Sequence, residues 1–142
     1  MGHYRFLEEV ALADCAVEVE GRDPADLFET AASALACLMV DPATLSITVE
    51  RVVNIEAPKL DLLLYDWLSE LIYLKDRDRH IFPVAQVSIV GEGPFRLEAA
   101  LQGGVIDPER TALGADPKAV TFHQFVLEQT ADGWRARLVI DI

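Results

Sequence analysis

Ala131-Asp132-Gly133-Trp134-Arg135-Ala136-Arg137-Leu138-Val139-Ile140-Asp141-Ile142, the last stretch of the chain, reads as a turn followed by a strand. The Asp-Gly pair supplies the backbone freedom that a tight antiparallel connection needs, so residues 131–133 join this strand to Ala119–Glu128 as a hairpin. Alternation puts Trp134, Ala136, Leu138 and Ile140 on one face, and Arg135, Arg137, Val139 and Asp141 on the other. A terminus normally frays, but a terminal strand tied into a sheet holds its last side chain and carbonyls in place. Asp141 is then either a positioned oxygen ligand beside a terminal carboxylate or the bland cap of an exposed strand end.

Outward from that hairpin, Ile81–Val90 and Phe95–Leu101 read as strands. So do Tyr4–Leu7, Ala16–Glu20 and Thr44–Ile55, the last with Leu45, Ile47 and Val49 on one face. Asp23 and Pro24 start a helix whose apolar stripe is Leu27, Ala31, Ala34, Leu35 and Leu38, ending before Asp41-Pro42. Leu60, Leu63, Leu64, Trp67, Leu68, Leu71, Ile72 and Leu74 give the clearest helix, with Asp61, Asp66 and Glu70 on its solvated side. Between Gly103 and Lys118 lies a loop with few apolar anchors, of a length that goes with function or mobility. The order β-β-α-β-α-β-β-β-β argues for the α+β class, two helices packed on a largely antiparallel or mixed sheet. No repeat or linker divides residues 1–142, and 51% apolar residues suffice for one core, so a single domain is expected.

The 12 basic and 24 acidic residues leave a net charge of −12. Such a surface repels phosphate backbones, which excludes broad nucleic-acid binding and favours a basic partner. Cys15 and Cys37 lack CxxC spacing, and neither a disulfide scaffold nor a zinc ribbon is expected. With no signal peptide and no apolar stretch long enough to span a bilayer, the expected address is the cytoplasm, with no membrane partner.

Two clusters carry potential chemistry. Asp14 starts a strand behind the apolar run Val10-Ala11-Leu12-Ala13, where an unpaired carboxylate is costly and calls for a cation, a donor or water. A strand-start turn accounts for it equally, and Cys15 beside it reads as a small core residue. Lys118 stands where the long loop becomes a strand, which positions an ammonium at a sheet end. His123 shares a face with Thr121 and Phe125, and histidine is a residue type suited to acid or base work, but no GxSxG, HExxH or P-loop supplies a matching nucleophile or phosphate cradle. Asp14, Asp141 and the last carbonyls together are oxygen donors without sulfur, a set for a hard cation such as Ca²⁺ or Mg²⁺, not zinc. Two carboxylates and a carbonyl do not fill a coordination sphere, so water or a partner must complete it.

Tyr4-Arg5-Phe6-Leu7-Glu8 leading to Ala13-Asp14, Leu27-Phe28-Glu29 with Ala31-Ala32, and Leu62-Leu63-x-x-Asp66-Trp67-Leu68-x-Glu70-Leu71-x-Tyr73-Leu74 occur in order. Lys118-Ala119-x-Thr121-x-His123 and Asp141-Ile142 follow. Across nearly the whole chain this set resembles the archease family. The resemblance implies a non-enzymatic protein cofactor of the tRNA-splicing RNA ligase, which promotes guanylylation of the ligase and restores it for repeated turnover. It also implies a divalent cation on Asp14, Asp141 and the carbonyl of Ile142, with Ca²⁺ expected and Mg²⁺ or Mn²⁺ as alternatives. Lys118 corresponds to a lysine associated with activity, and His123 is a secondary candidate. The chain departs from the family pattern at Val10-Ala11-Leu12-Ala13-Asp14, where a shorter His-Thr-Ala-Asp stretch is usual. It departs again at Gly103-Gly104 and Arg110-Thr111, in place of Gly-Glu and a basic-His pair. A rival reading is a small metal-dependent phosphoester hydrolase or transferase using Asp14, His123 and Asp141. A third is a binding module in which the cation is purely structural.

Overall fold

Asp23 and Pro24 begin the first helix as their chemistry dictates. In the computed structural model, which describes residues 2–7 and 14–142, α1 runs Pro24–Met39 and the Asp23 side chain accepts the Asp26 N–H at 2.8 Å. The helix stops where Val40 returns to extended backbone, ahead of Asp41-Pro42. Leu27, Phe28, Ala31, Ala34 and Leu35 are buried, and Leu38 is half-buried against them. The second helix, α2, runs Leu60–Asp78 and buries Leu63, Leu64, Trp67, Leu68, Leu71, Ile72 and Leu74. Asp61 and Asp66 face water, while Glu70 is half-buried. The Trp67 indole donates to the Phe28 carbonyl at 3.0 Å, a buried bond that ties α2 to α1.

The strands are β1 (His3–Phe6), β2 (Asp14–Gly21), β3 (Val49–Ala57), β4 (His80–Val90), β5 (Phe95–Val105), β6 (Ala119–Thr130) and β7 (Gly133–Asp141). Every neighbouring pair is antiparallel. The α+β class and the two helices hold, with the sheet divided in two: four strands in the order β1-β2-β7-β6 and three in the order β3-β5-β4. The α1 helix lies against β2 and β4, and α2 against β3, β4 and β6, so both helices contact both sheets. One apolar cluster fills the space between them. At the β4 edge, Glu29 of α1 accepts the Val87 N–H at 2.8 Å and Ser33 donates to the Pro83 carbonyl at 2.9 Å. Helix side chains and a proline thereby occupy polar groups that an open edge would present to another chain.

Four readings of the sequence change. The strand expected from Thr44 begins at Val49; Pro42–Thr44 is a short 3₁₀ turn in which Asp41 accepts the Ala43 N–H at 3.1 Å, leaving Leu45 buried and Ile47 exposed. β5 continues to Val105, because Gly103 and Gly104 let other backbone segments approach closely. A Cβ at Gly103 would stand 1.9 Å from the Ile81 carbonyl oxygen, and one at Gly104 2.0 Å from that of Ser46. The loop is therefore residues 106–118 and is well anchored. The Ile106 N–H bonds the Arg79 carbonyl at 2.9 Å, and Gly114 and Ala115 donate to Met39 and Leu38 at 2.7 and 2.9 Å. Lastly, Val139 is fully buried, although it falls on the face that alternation shares with two arginines.

Trp67→Phe keeps most of the buried volume but loses the indole donor. We expect it to destabilise the fold by about 1–3 kcal/mol, read from the midpoint of a urea melt with unchanged slope.

Candidate metal centre

The centre is built by strand register. In the β2–β7 pair Asp14 lies directly opposite Asp141, one end of an uninterrupted ladder that continues through Cys15↔Ile140 to Gly21↔Trp134. Directly opposed residues of antiparallel strands project from the same face, with Cβ atoms typically about 4.5–5.5 Å apart. Both aspartates are half-buried. On the other side of β7, Ala119 of β6 is paired with Asp141, and the Lys118 N–H donates to the Asp141 carbonyl at 2.7 Å. Asp14, Asp141 and Lys118 thus meet at one sheet end, from positions 14, 118 and 141. Lys118 is exposed there, and Ile142 is half-buried against the apolar cluster. The segment Val10–Ala13 that precedes Asp14 lies outside the described residues.

His123 stands apart from this group. The β6–β7 register breaks between Thr121 and Val126, and Gln124 within that break has a left-handed φ of 56°. Alternation is lost, so the face expected for Thr121, His123 and Phe125 does not form. The Thr121 hydroxyl is buried without a hydrogen-bond partner, His123 is exposed, and Phe125 turns onto Tyr65. Tyr65 of α2 also stacks on Phe122 at 4.2 Å between ring centroids. The three rings form a half-exposed patch that no sequence spacing announces.

Two like charges opposite one another destabilise a ladder unless something neutralises them. The donor set at the sheet end is carboxylate and carbonyl oxygen, which fits a hard divalent cation and not zinc. Among the described residues no group of three or more His, Cys, Asp or Glu side chains converges on one point. A cavity of about 470 Å³ lies elsewhere, between β1, α1 and β4, and none of Asp14, Lys118 and Asp141 lines it.

The model of the archease protein family (MTH1598/TM1083) matches residues 4–142. The chain belongs to the archease family. It is 38% identical over 141 residues to the protein archease of Methanosarcina mazei, covering 98% of this chain and 95% of that one. The archease of Archaeoglobus fulgidus is 34% identical over 139 residues, 98% of each chain. The solution structure of protein 1598 of Methanobacterium thermoautotrophicum aligns with a TM-score of 0.80 at 26% identity over 98% of both chains. The crystal structure of a Thermotoga maritima archease, described as a possible chaperone, aligns at 0.64 and 19% identity over 97% of this chain and 98% of that one, which speaks to the fold.

One residue that belongs to the surroundings of the centre escapes the pattern reading. Lys75 on α2 is buried and bonds the Asp116 carboxylate, the Pro117 carbonyl at 2.8 Å and the Asp76 carboxylate at 2.9 Å. The signal is in the sequence: Trp67, Leu71 and Lys75 follow at helical spacing, so a cation sits on the apolar stripe. Asp116 itself projects into water, and the Lys75 ammonium donating to it holds its carboxyl below the ordinary value.

Two outcomes follow from these geometries. With all divalent cations chelated, Asp141→Asn relieves the opposed charges and should raise stability by up to about 1 kcal/mol in a urea melt; a loss would mean the repulsion is already neutralised. For Asp116 the depressed carboxyl contributes stability above the ordinary pKa of about 3.9 and loses it as pH falls through the lower folded-state value. The stability deficit of Asp116→Asn should therefore be full at pH 7 and close below about pH 4, measured by melts across that range.

Proposed function

We propose that the chain is a protein activator, not itself an enzyme, of the tRNA-splicing RNA ligase, promoting its guanylylation and repeated turnover. In this reading Asp14, Asp141 and the Ile142 carbonyl hold a divalent cation, Ca²⁺ first and Mg²⁺ or Mn²⁺ as alternatives, and Lys118 is the activating side chain. What carries the proposal is the Asp14↔Asp141 pairing, with the Lys118 amide on the Asp141 carbonyl, in a chain of the archease family.

The roles follow from the chemistry of the groups. The two carboxylates give oxygen ligands on one face of a rigid ladder, so little ordering is needed when a cation arrives. A cation held there supplies positive charge that partner or nucleotide oxygens can share. Lys118, exposed at the same sheet end, adds a mobile ammonium that offsets phosphate charge. The net charge of −12 steers the protein toward a basic, nucleotide-handling enzyme and away from bare RNA. A location in the cytoplasm accompanies this partner; among the described residues no helix is long and apolar enough to cross a membrane.

The direct test is ligation of tRNA halves by the cognate ligase under multiple turnover, with and without this protein. Stimulation is expected, with at least a tenfold loss for Asp14→Ala, Asp141→Ala and Lys118→Ala, where a factor of ten corresponds to about 1.4 kcal/mol. Wild-type stimulation by both aspartate variants would defeat the cation-holding reading. At 100 times its dissociation constant, calcium should stabilise the wild-type fold by about 2.7 kcal/mol and the aspartate variants far less. Phosphoester turnover by the protein alone would instead support a hydrolase.

A further inference from the structure

We propose that Lys75 is a positioning residue for the Asp14–Asp141 centre, a latch in the last turns of α2 that fixes the backbone running into Lys118 and, through it, Asp141. The assignment rests on the proposed function only in treating that centre as the working site.

Lys75 is 4% exposed, the buried cationic side chain among the described residues. Its stem continues the line of Trp67 and Leu71, and its ammonium has three protons to place. Three acceptors receive them: the Asp76 carboxylate at 2.9 Å, the Asp116 carboxylate and the Pro117 carbonyl at 2.8 Å. Two of the three belong to the end of the 106–118 loop. The next residue is Lys118, whose N–H donates to the Asp141 carbonyl at 2.7 Å, and Asp141 is the register partner of Asp14. An unbroken path of covalent bonds, hydrogen bonds and strand pairing therefore leads from α2 to both carboxylates.

The path is stiff. Pro117 fixes its own φ and restricts Asp116 before it to extended backbone, so a grip on these two residues is a grip on the entry to β6. The other end of the loop meets the same part of α2, where the Ile106 N–H bonds the Arg79 carbonyl at 2.9 Å. A leucine in place of Lys75 would complete the apolar stripe and leave the Pro117 carbonyl without this donor. The cation is costly to bury, and it stands where its acceptors lie on the segment that leads to the centre.

The experiment uses the full-length protein, ¹⁵N-labelled, with Lys75→Met. Because Asp116 faces water, this variant leaves no buried charge unpaired and should fold, as checked by circular dichroism. The Lys118 amide should exchange with solvent at least tenfold faster than in wild type, while the amides of Val17 and Leu138 in the ladder keep their rates. Calorimetric titration with calcium alone should show about tenfold weaker binding, a change of about 1.4 kcal/mol, with Lys75→Arg recovering most of it. Arg51→Met, which removes the pair to Asp78 at 3.4 Å, is the control for general destabilisation and should move neither readout. Unchanged Lys118 exchange in Lys75→Met overturns the latch. So does unchanged calcium affinity, provided the wild type binds calcium. If the wild type neither binds calcium nor stimulates the ligase while Lys118 exchange still accelerates, the latch stands and the proposed function fails. Should Lys75→Met not fold, Asp116→Asn carries the same exchange test, with about threefold acceleration supporting the latch and none overturning it.

Discussion

Strands β2 and β7 lie side by side in the middle of the four-stranded sheet, and their register is the constraint on which the candidate centre depends. Val17 and Val19 on one strand and Ala136, Leu138 and Ile140 on the other share one face and are buried in the core cluster. A slip of one residue would turn these side chains to the wrong faces, so burial along the ladder enforces a single alignment. Farther along, Glu18 opposite Arg137 and Glu20 opposite Arg135 favour the same alignment through opposite charges. Asp14 opposite Asp141 is the exception, a like-charge pair where the rest of the ladder is complementary. An arrangement that opposes local stability yet is enforced by the whole sheet is the kind expected at a functional position.

The Asp14–Asp141 pairing sits at the end of a sheet, away from the cavity between β1, α1 and β4. The structure also explains why this end is rigid enough to matter. The β6 strand enters the sheet beside Asp141 through a backbone hydrogen bond, and the chain just before that point is held by a buried lysine on α2. The loop that looked poorly anchored is fastened to α1 through Gly114 and Ala115, and to α2 through Ile106 and Asp116-Pro117.

The two glycines at 103 and 104 have a local structural explanation. Both lie in β5 with backbone carbonyls pressed to the positions a side chain would need. Their identity is set by how closely other segments approach, in a region of the molecule distinct from the Asp14–Asp141 pairing. His123 illustrates the opposite case. Its spacing from Thr121 and Phe125 looks like a strand face, but the bulge, with Gln124 in the left-handed region, spreads the three residues onto different surroundings.

By itself the sequence determined the class of the fold, both helices, the Asp23 cap of the first, the β6–β7 hairpin and the archease resemblance. These are carried by local periodicity, capping chemistry and ordered motifs, which act over a few residues or are compared one by one. It also named Asp14, Asp141 and Lys118, but could not say that the first two are register partners or that the third touches Asp141 through its amide. The tertiary structure alone decided the division into two sheets, the extension of β5 through Gly103-Gly104, the isolation of His123 and the burial of Lys75 against Asp116-Pro117. Each depends on contacts between segments distant along the chain, where packing and strand pairing override what neighbouring residues prefer.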